Sequence, residues 1–406
     1  MNTKNTNFKN SGIAYIGEIP KHWGVKKLKF IIENSISGEV IDKGYWNSGN
    51  EFLYTCQKEP MFSDFDKFPE NKRTRGNCLL LTRNATPYIF IPKDNAIFSN
   101  VVQKIILFKK YDKRYIKYSI QIGANSLLVN GDIIPSYNMQ VWNNIYFCDI
   151  PLDEQERIAE FLDKKCASID SSIENLEQKT KSLAQYKKAL ITQCVTKGLN
   201  PKILEFKDSE IPWIRQIPKH WEISKIKYVA KIRSENSSFN AENDKYIGLE
   251  NVAGYLNSLI ETNTEYENSI QAVCKKGDIL FGKLRPYLSK VIIAPFNCFC
   301  SSEFLQFINL KCYFKFFYYF LLNKNFIENV NSSTYGAKMP RANSNYIMNL
   351  NFLVPPLNEQ KEIAEFLDNK CEKIDNLSAN YKEQIKTLKE YKKALIYECV
   401  TGKKQI

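Results

Sequence analysis

The chain has 406 residues, 44% of them hydrophobic and 25% charged, which is too long for one hydrophobic core and too apolar for disorder. No run of eighteen apolar residues occurs, and the polar start Met1-Asn-Thr-Lys lacks the apolar core of a secretory leader, so a cytoplasmic, non-membrane protein is expected. A net charge of +13 favours a polyanionic partner, because bound phosphates release counterions; an A/T-biased codon usage rich in Lys and Asn would raise the charge equally.

From the N-terminus, Ile19-Pro20-Lys21-His22-Trp23 leads into a basic run, Lys26 to Lys29. The same five residues return as Ile217-Pro218-Lys219-His220-Trp221. The stretch from about 24 to 150 then carries short apolar runs, Cys78-Leu-Leu-Leu81 and Val101 to Leu107, bounded by Gly, Pro and Asn, which predict strands. A helix is predicted from Arg114 to Ile122. Mixed strand and helix makes this stretch an α+β domain, taken as residues 1–150.

Pro151 opens a long helix over residues 151–199, with acidic residues in its first turn and Gly198 at its end. Cys166, Ile169, Ile173, Leu176, Thr180, Leu183 and Leu190 alternate three- and four-residue steps, the seam of a coiled coil. A second α+β domain, residues 200–355, carries strand signals at Asp278 to Phe281 and Val291 to Ala294, and a helix signal from Lys315 to Asn325. Pro356 opens the second long helix, 356–406, whose seam is Cys371, Ile374, Tyr381, Ile385, Leu388 and Leu395, with Gly402 at its end.

The two helices are copies. Leu152-Asp-Glu-Gln155 and Ile158-Ala-Glu-Phe-Leu-Asp163 recur as Leu357-Asn-Glu-Gln360 and Ile363 to Asp368, and Tyr186-Lys-Lys-Ala-Leu-Ile191 recurs as Tyr391 to Ile396. Between these constant blocks the stretches 24–150 and 222–354 share no visible identity. One part is held and the other varied.

Catalytic chemistry is not in evidence. Gly277-Asp-Ile-Leu-Phe-Gly282-Lys283 has phosphate-loop spacing, but Leu284 stands where a hydroxyl is needed for magnesium and Pro286 interrupts the following helix. Two histidines, eleven cysteines with no CxxC pair, and no dinucleotide, methyltransferase or nucleophile-elbow motif leave no expected active site or metal site. The remaining candidates are base-reading and phosphate-holding side chains in the variable domains. In the first these are Arg73, Arg75, Arg83, Asn84, Tyr88, Asn125, Asn130 and Asn138; in the second, Lys283, Arg285, Tyr287, Lys290, Tyr335, Lys338 and Arg341.

The paired Ile-Pro-Lys-His-Trp segments, the paired Pro-Leu-x-Glu-Gln-x-x-Ile-Ala-x-Phe-Leu-Asp helix starts, Gly277 to Tyr287 and Ser301-Ser-Glu-Phe304 together resemble the specificity subunit of type I restriction-modification enzymes. Gly76-Asn-Cys-Leu-Leu-Leu-Thr-Arg83 departs from the commoner form of the second domain. The resemblance implies two target-recognition domains related by a pseudo-two-fold, reading an asymmetric bipartite DNA site, with the antiparallel helices as spacer. It further implies two modification subunits docked on the helices, recruited restriction subunits, and S-adenosylmethionine, ATP and magnesium held by those partners. Two other classes compete: a coiled-coil protein whose variable domains bind proteins, and a self-contained nuclease or methyltransferase.

Overall fold

A computed structural model describes residues 8–84, 86–126, 136–336 and 338–406. The chain divides into two units, Met1–Asn175 with Gln384–Ile406, and Leu176–Glu383. Each therefore takes one part of each long helix, Leu152–Lys197 and Leu357–Val400.

In the first unit a four-stranded antiparallel sheet runs in the order Ile32–Ser37, Val102–Leu107, Cys78–Thr82, Ile89–Phe90. Its two faces serve different cores, as alternation along a strand requires. Leu79, Leu81 and Ile105 face the helix Lys113–Ser126 and the long helices, whereas Leu80 and Val102 pack with Leu53, Ile97 and Phe98. The latter belong to a three-stranded sheet of Met61–Ser63, Trp46–Tyr54 and Ile97–Phe98.

The second unit repeats this plan. Its four-stranded sheet is Lys231–Ile232, Phe304–Ile308, Ile279–Gly282, Val291–Ile293, with Ile279, Phe281 and Phe307 in the main core and Leu280 in a smaller one. The expected single helix from Lys315 to Asn325 is instead two, Phe314–Leu321 and Lys324–Ser332. Asn323 breaks it, because its side chain accepts from the Asn325 amide and caps the second helix. The segment with phosphate-loop spacing runs as sheet, and Pro286 opens a single 3-10 turn, Pro286–Leu288.

The seam residues are not equally covered along the helices. Cys166, Ile169, Ile173, Cys371, Ile374 and Leu395 are buried, while Leu176, Leu183, Leu190, Tyr381, Ile385 and Leu388 are half-buried. Helix direction is fixed within each unit by the repeated Trp. Trp23 Nε1 donates to Glu154 near the start of the first helix, and the Trp23 ring abuts Gly402 at the end of the second. Trp221 Nε1 donates to Glu359 and abuts Gly198 in the same way. The start of one helix thus lies beside the end of the other: the helices are antiparallel.

One pair of copied glutamines closes the helix starts. Gln155 Nε2 donates to the Ile150 carbonyl and its Oε1 accepts from the Asp112 amide; Gln360 does the same with Pro355 and Tyr313. All four backbone groups are those that the ends of a strand and a helix leave without partners.

Candidate nucleic-acid interface

The variable stretches, unlike in sequence, hold their candidate residues on one backbone frame. In the first unit the Arg83 amide donates to the Val101 carbonyl (2.8 Å), the Tyr137 amide donates to the Arg83 carbonyl (2.6 Å), and Asn84 bridges Ser136. In the second, the Lys283 amide donates to the Glu303 carbonyl (2.8 Å), the Ala342 amide donates to the Lys283 carbonyl (3.0 Å), and Leu284 bridges Arg341. A short helix follows each bridge, Met139–Asn143 and Ser344–Asn349, capped by Asn138 and Asn343. The side chains on this frame differ, while the hydrogen bonds under them are the same.

Around this frame in the second unit the sequence candidates come together. The Arg285 amide donates to the Pro340 carbonyl (2.7 Å), and Tyr335 and Arg341 exchange backbone bonds of 3.3 and 3.0 Å. These bonds join the loop after strand Ile279–Gly282 to the hairpin Tyr335 to Arg341, gathering Lys283, Arg285, Tyr287, Tyr335, Lys338 and Arg341. Tyr287 is 52% and Tyr335 61% exposed, and Lys338 and Arg341 are exposed. Arg341 pairs with Glu303, whose second carboxylate oxygen is buried without a partner. Arg285 (φ 50) and Ser289 (φ 53) both sit in the left-handed region, an unfavourable conformation for a side-chain-bearing residue that fixes the loop between them.

Several candidates have structural tasks instead. Arg73, only 6% exposed, donates to Glu51 and Glu70 and to the Asn95 carbonyl, so it ties the strand Trp46–Tyr54 to two loops and offers nothing to a ligand. Beside it Lys104, buried in the sheet, donates to the carbonyls of Lys72 and Arg73, and burial pushes its pKa below the usual lysine value. Asn138 spends its side-chain oxygen on the Val141 amide as a helix cap. Lys290 Nζ donates to the Leu249 carbonyl at 2.6 Å.

Arg75 is exposed but paired with Glu70 (2.9 Å), and Asn125 accepts from Gln121. Tyr88 packs beside Phe90, ring centroids 6.0 Å apart. Arg83 keeps a half-exposed guanidinium with one long contact, 3.5 Å to the Asn100 carbonyl. Asn130 lies outside the described residues. Sequence reasoning overlooked Leu288 and Met339, exposed by 41% and 61% beside the basic cluster, and Glu303, the anchor of Arg341. For Leu288 and Met339 the signal was present only as apolar residues in a polar loop, and for Glu303 only as part of the segment Ser301-Ser-Glu-Phe304.

Among the described residues no group of three His, Cys, Asp or Glu side chains is placed to hold a metal, and no helix is long and apolar enough to cross a membrane.

Residues 218–387 match the model of the type I restriction modification DNA specificity domain. The chain is 25% identical to the MjaVIII specificity subunit of Methanocaldococcus jannaschii, over 96% of this chain and 92% of that one. It is 24% identical to the EcoDI specificity subunit of Escherichia coli, over 86% and 81% of the two chains. In fold it is similar to a chain solved in a study of complex assembly and conformational transition of the type I R-M system, with a TM-score of 0.68, 15% identity, and coverage of 95% of this chain and 99% of that one. Residues 218–387 thus match the type I restriction modification DNA specificity domain, and over nearly its whole length the chain is similar to type I restriction enzyme specificity subunits.

Proposed function

We propose that this chain is the DNA-reading, non-catalytic subunit of a type I restriction-modification complex, each unit contacting one half of an asymmetric bipartite site in double-stranded DNA. The observation that carries the reading is the pair of equivalent backbone bridges with unlike occupants, Arg83-Asn84 in one unit and Lys283-Leu284 in the other. Identical loops on a duplicated frame would read identical half-sites; unlike loops read unlike ones. Arg forks onto guanine, Asn onto adenine, and Lys and Arg neutralise phosphate, so these loops supply both sequence reading and positioning.

Two modification subunits dock on the long helices, one per copy. Supporting this, each copy leaves the same apolar side chains uncovered: Leu152 (37% exposed) and Tyr186 (54%) in the first, Leu357 (54%) and Tyr391 (51%) in the second. Restriction subunits join that assembly, S-adenosylmethionine, ATP and magnesium belong to those partners, and the complex works in the cytoplasm.

The test is selection of a randomised duplex library by this chain assembled with its modification subunits. A two-part enriched sequence is expected, with affinity that falls steeply as salt rises. Replacing residues 24–150 by the corresponding stretch of another member should change one half of that sequence. Absence of any enriched sequence, or a change in both halves, would overturn the reading.

A further inference from the structure

The basic cluster of the second unit surrounds side chains that neither phosphate binding nor hydrogen-bonded base reading explains. Leu288 is 41% and Met339 61% exposed, flanked by Tyr287 and Tyr335 at 52% and 61%. They occupy the tips of the two loops that the Arg285–Pro340 bond and the Tyr335–Arg341 bonds hold together. Leu288 is held from behind: its amide donates to the Arg285 carbonyl (2.9 Å), and the next residue, Ser289, donates to the Pro286 carbonyl (2.8 Å). Two consecutive turns with left-handed residues at both ends thus present Leu288 on a fixed backbone, not on a yielding one.

A solvent-facing apolar tip is ordinary when single, but here two share a bonded pair of loops with Lys283, Arg285 and Lys338, whose charge draws a phosphate backbone. The first unit differs in the loop that corresponds to the one bearing Leu288. After its bridge Pro87 is buried and Tyr88 half-buried, and no large apolar side chain is exposed between Arg83 and Phe90 among the described residues.

We propose that Leu288 and Met339 form a wedge that enters the stacked duplex and opens one base step in the half-site read by the second unit. This rests on the DNA-reading function proposed above. Leu and Met are chemically suited to the task, being apolar, free of hydrogen-bonding demand and flexible enough to fill the gap between partly unstacked bases, while cations on the rim hold the kinked strands. A pyrimidine–purine step is the cheapest to open, so the wedge adds a preference for such a step without a base-edge hydrogen bond.

The experiment uses the full chain assembled with its modification subunits, and duplexes carrying 2-aminopurine at successive positions of both half-sites. Binding should raise the fluorescence at one step of one half-site, as stacking quenching is relieved. The double variant Leu288→Ser, Met339→Ser should return that position to its quenched level and weaken binding by roughly tenfold, while assembly and the other half-site stay unchanged. A bound duplex with no variant-sensitive fluorescence at any position overturns the wedge but leaves DNA reading intact. Failure of the wild-type complex to bind any duplex overturns both. Loss of assembly with the modification subunits in the double variant also overturns the wedge, because it makes the patch a protein contact. Since both side chains are exposed, folding of the variant is checked by its unchanged thermal transition, and the single variant Met339→Ala supplies an independent, smaller loss of the same signal.

Discussion

Lys187 Nζ lies 2.7 Å from both carboxylate oxygens of Asp375, and a third bond of 2.7 Å joins it to the Tyr255 carbonyl. The lysine is 5% exposed, so all three of its protons are used and none is given to water. The duplicate of this pair, with roles exchanged between the helix copies, is Lys392 with Asp170 at 2.6 to 2.7 Å, but there the lysine side chain is 27% exposed and, among the described residues, bonds to no carbonyl. An ion pair in a helix seam is a register device, because a shift of one turn leaves both charges unmatched.

The first prediction follows from that difference in burial. Asp375→Ala strands a buried ammonium on one carbonyl and should destabilise the second unit by about 2–3 kcal/mol, below the full cost of breaking a wholly buried pair because Asp375 is partly wet. Asp170→Ala should cost about 1 kcal/mol or less, as an exposed pair does. Urea unfolding followed by limited proteolysis of each unit checks the order; equal losses would remove the distinction drawn from burial.

A second prediction concerns the helix ends. Gly402 has φ 71, and a Cβ there would stand 2.5 Å from two ring carbons of Pro20 and 3.1 Å from Trp23. Gly198 has φ 74, but its nearest neighbour would be the Glu359 side chain at 3.1 Å, which can move. Gly402→Ala should therefore destabilise the first unit by more than about 1 kcal/mol from conformation alone, with the clash added. Gly198→Ala should be the milder of the two, and thermal unfolding of the two variants gives the comparison.

The third prediction separates structural from DNA-facing basic residues. Arg73→Met should unfold the loops around Glu51, Glu70 and Asn95 and lower stability, because it leaves carboxylates and a carbonyl without their donor. Lys338→Ala should leave stability within about 0.5 kcal/mol but reduce the salt dependence of DNA binding by about one counterion. Denaturation curves and binding isotherms at several salt concentrations distinguish them; a DNA-binding loss for Arg73→Met without a stability loss would restore that residue as a reader.

What could be read from residues alone follows from the kind of constraint each part obeys. The long helices were legible because their partner is another copy of themselves, so Ile169 and Ile374 recur at fixed steps and the duplication shows as identity. The kinship of the variable domains was not, because a sheet face asks only for apolar volume. Leu79 and Leu81 in one unit do the work of Ile279 and Phe281 in the other, and Trp142 the work of Ile347 four residues after an Asn cap. Identity is lost while the hydrogen-bonding frame stays. Arg73 was misread for a similar reason: its partner Glu51 lies 22 residues earlier, and nothing in a linear pattern joins a loop arginine to a strand glutamate.

The last prediction concerns the thiols, nine of whose eleven are buried. Burial pushes Cys148 and Cys194 up to about 12, and Cys371 and Cys399 up to about 11, from an ordinary value of 9.0. Because the thiolate is the reactive form, these groups should resist iodoacetamide at pH 8 in the folded protein, as should the half-buried Cys312, likewise raised to about 12. Cys56, half-buried and outside any strand or helix, should be the first alkylated. The same shifts set a direction for stability. A thiol whose pKa is higher in the folded than in the unfolded chain binds its proton more tightly when folded. Its contribution is therefore complete below pH 9 and is lost as pH rises from 9 toward 11 to 12. Buried Tyr54 and the half-buried Tyr15 and Tyr255, raised by desolvation from 10.0, act in the same sense over a higher range. Thermal midpoints should fall progressively above pH 9, and replacing Cys194 and Cys399 together by Ala should flatten the lower part of that decline. A decline of unchanged shape in the double variant would place its origin in the tyrosines and lysines instead.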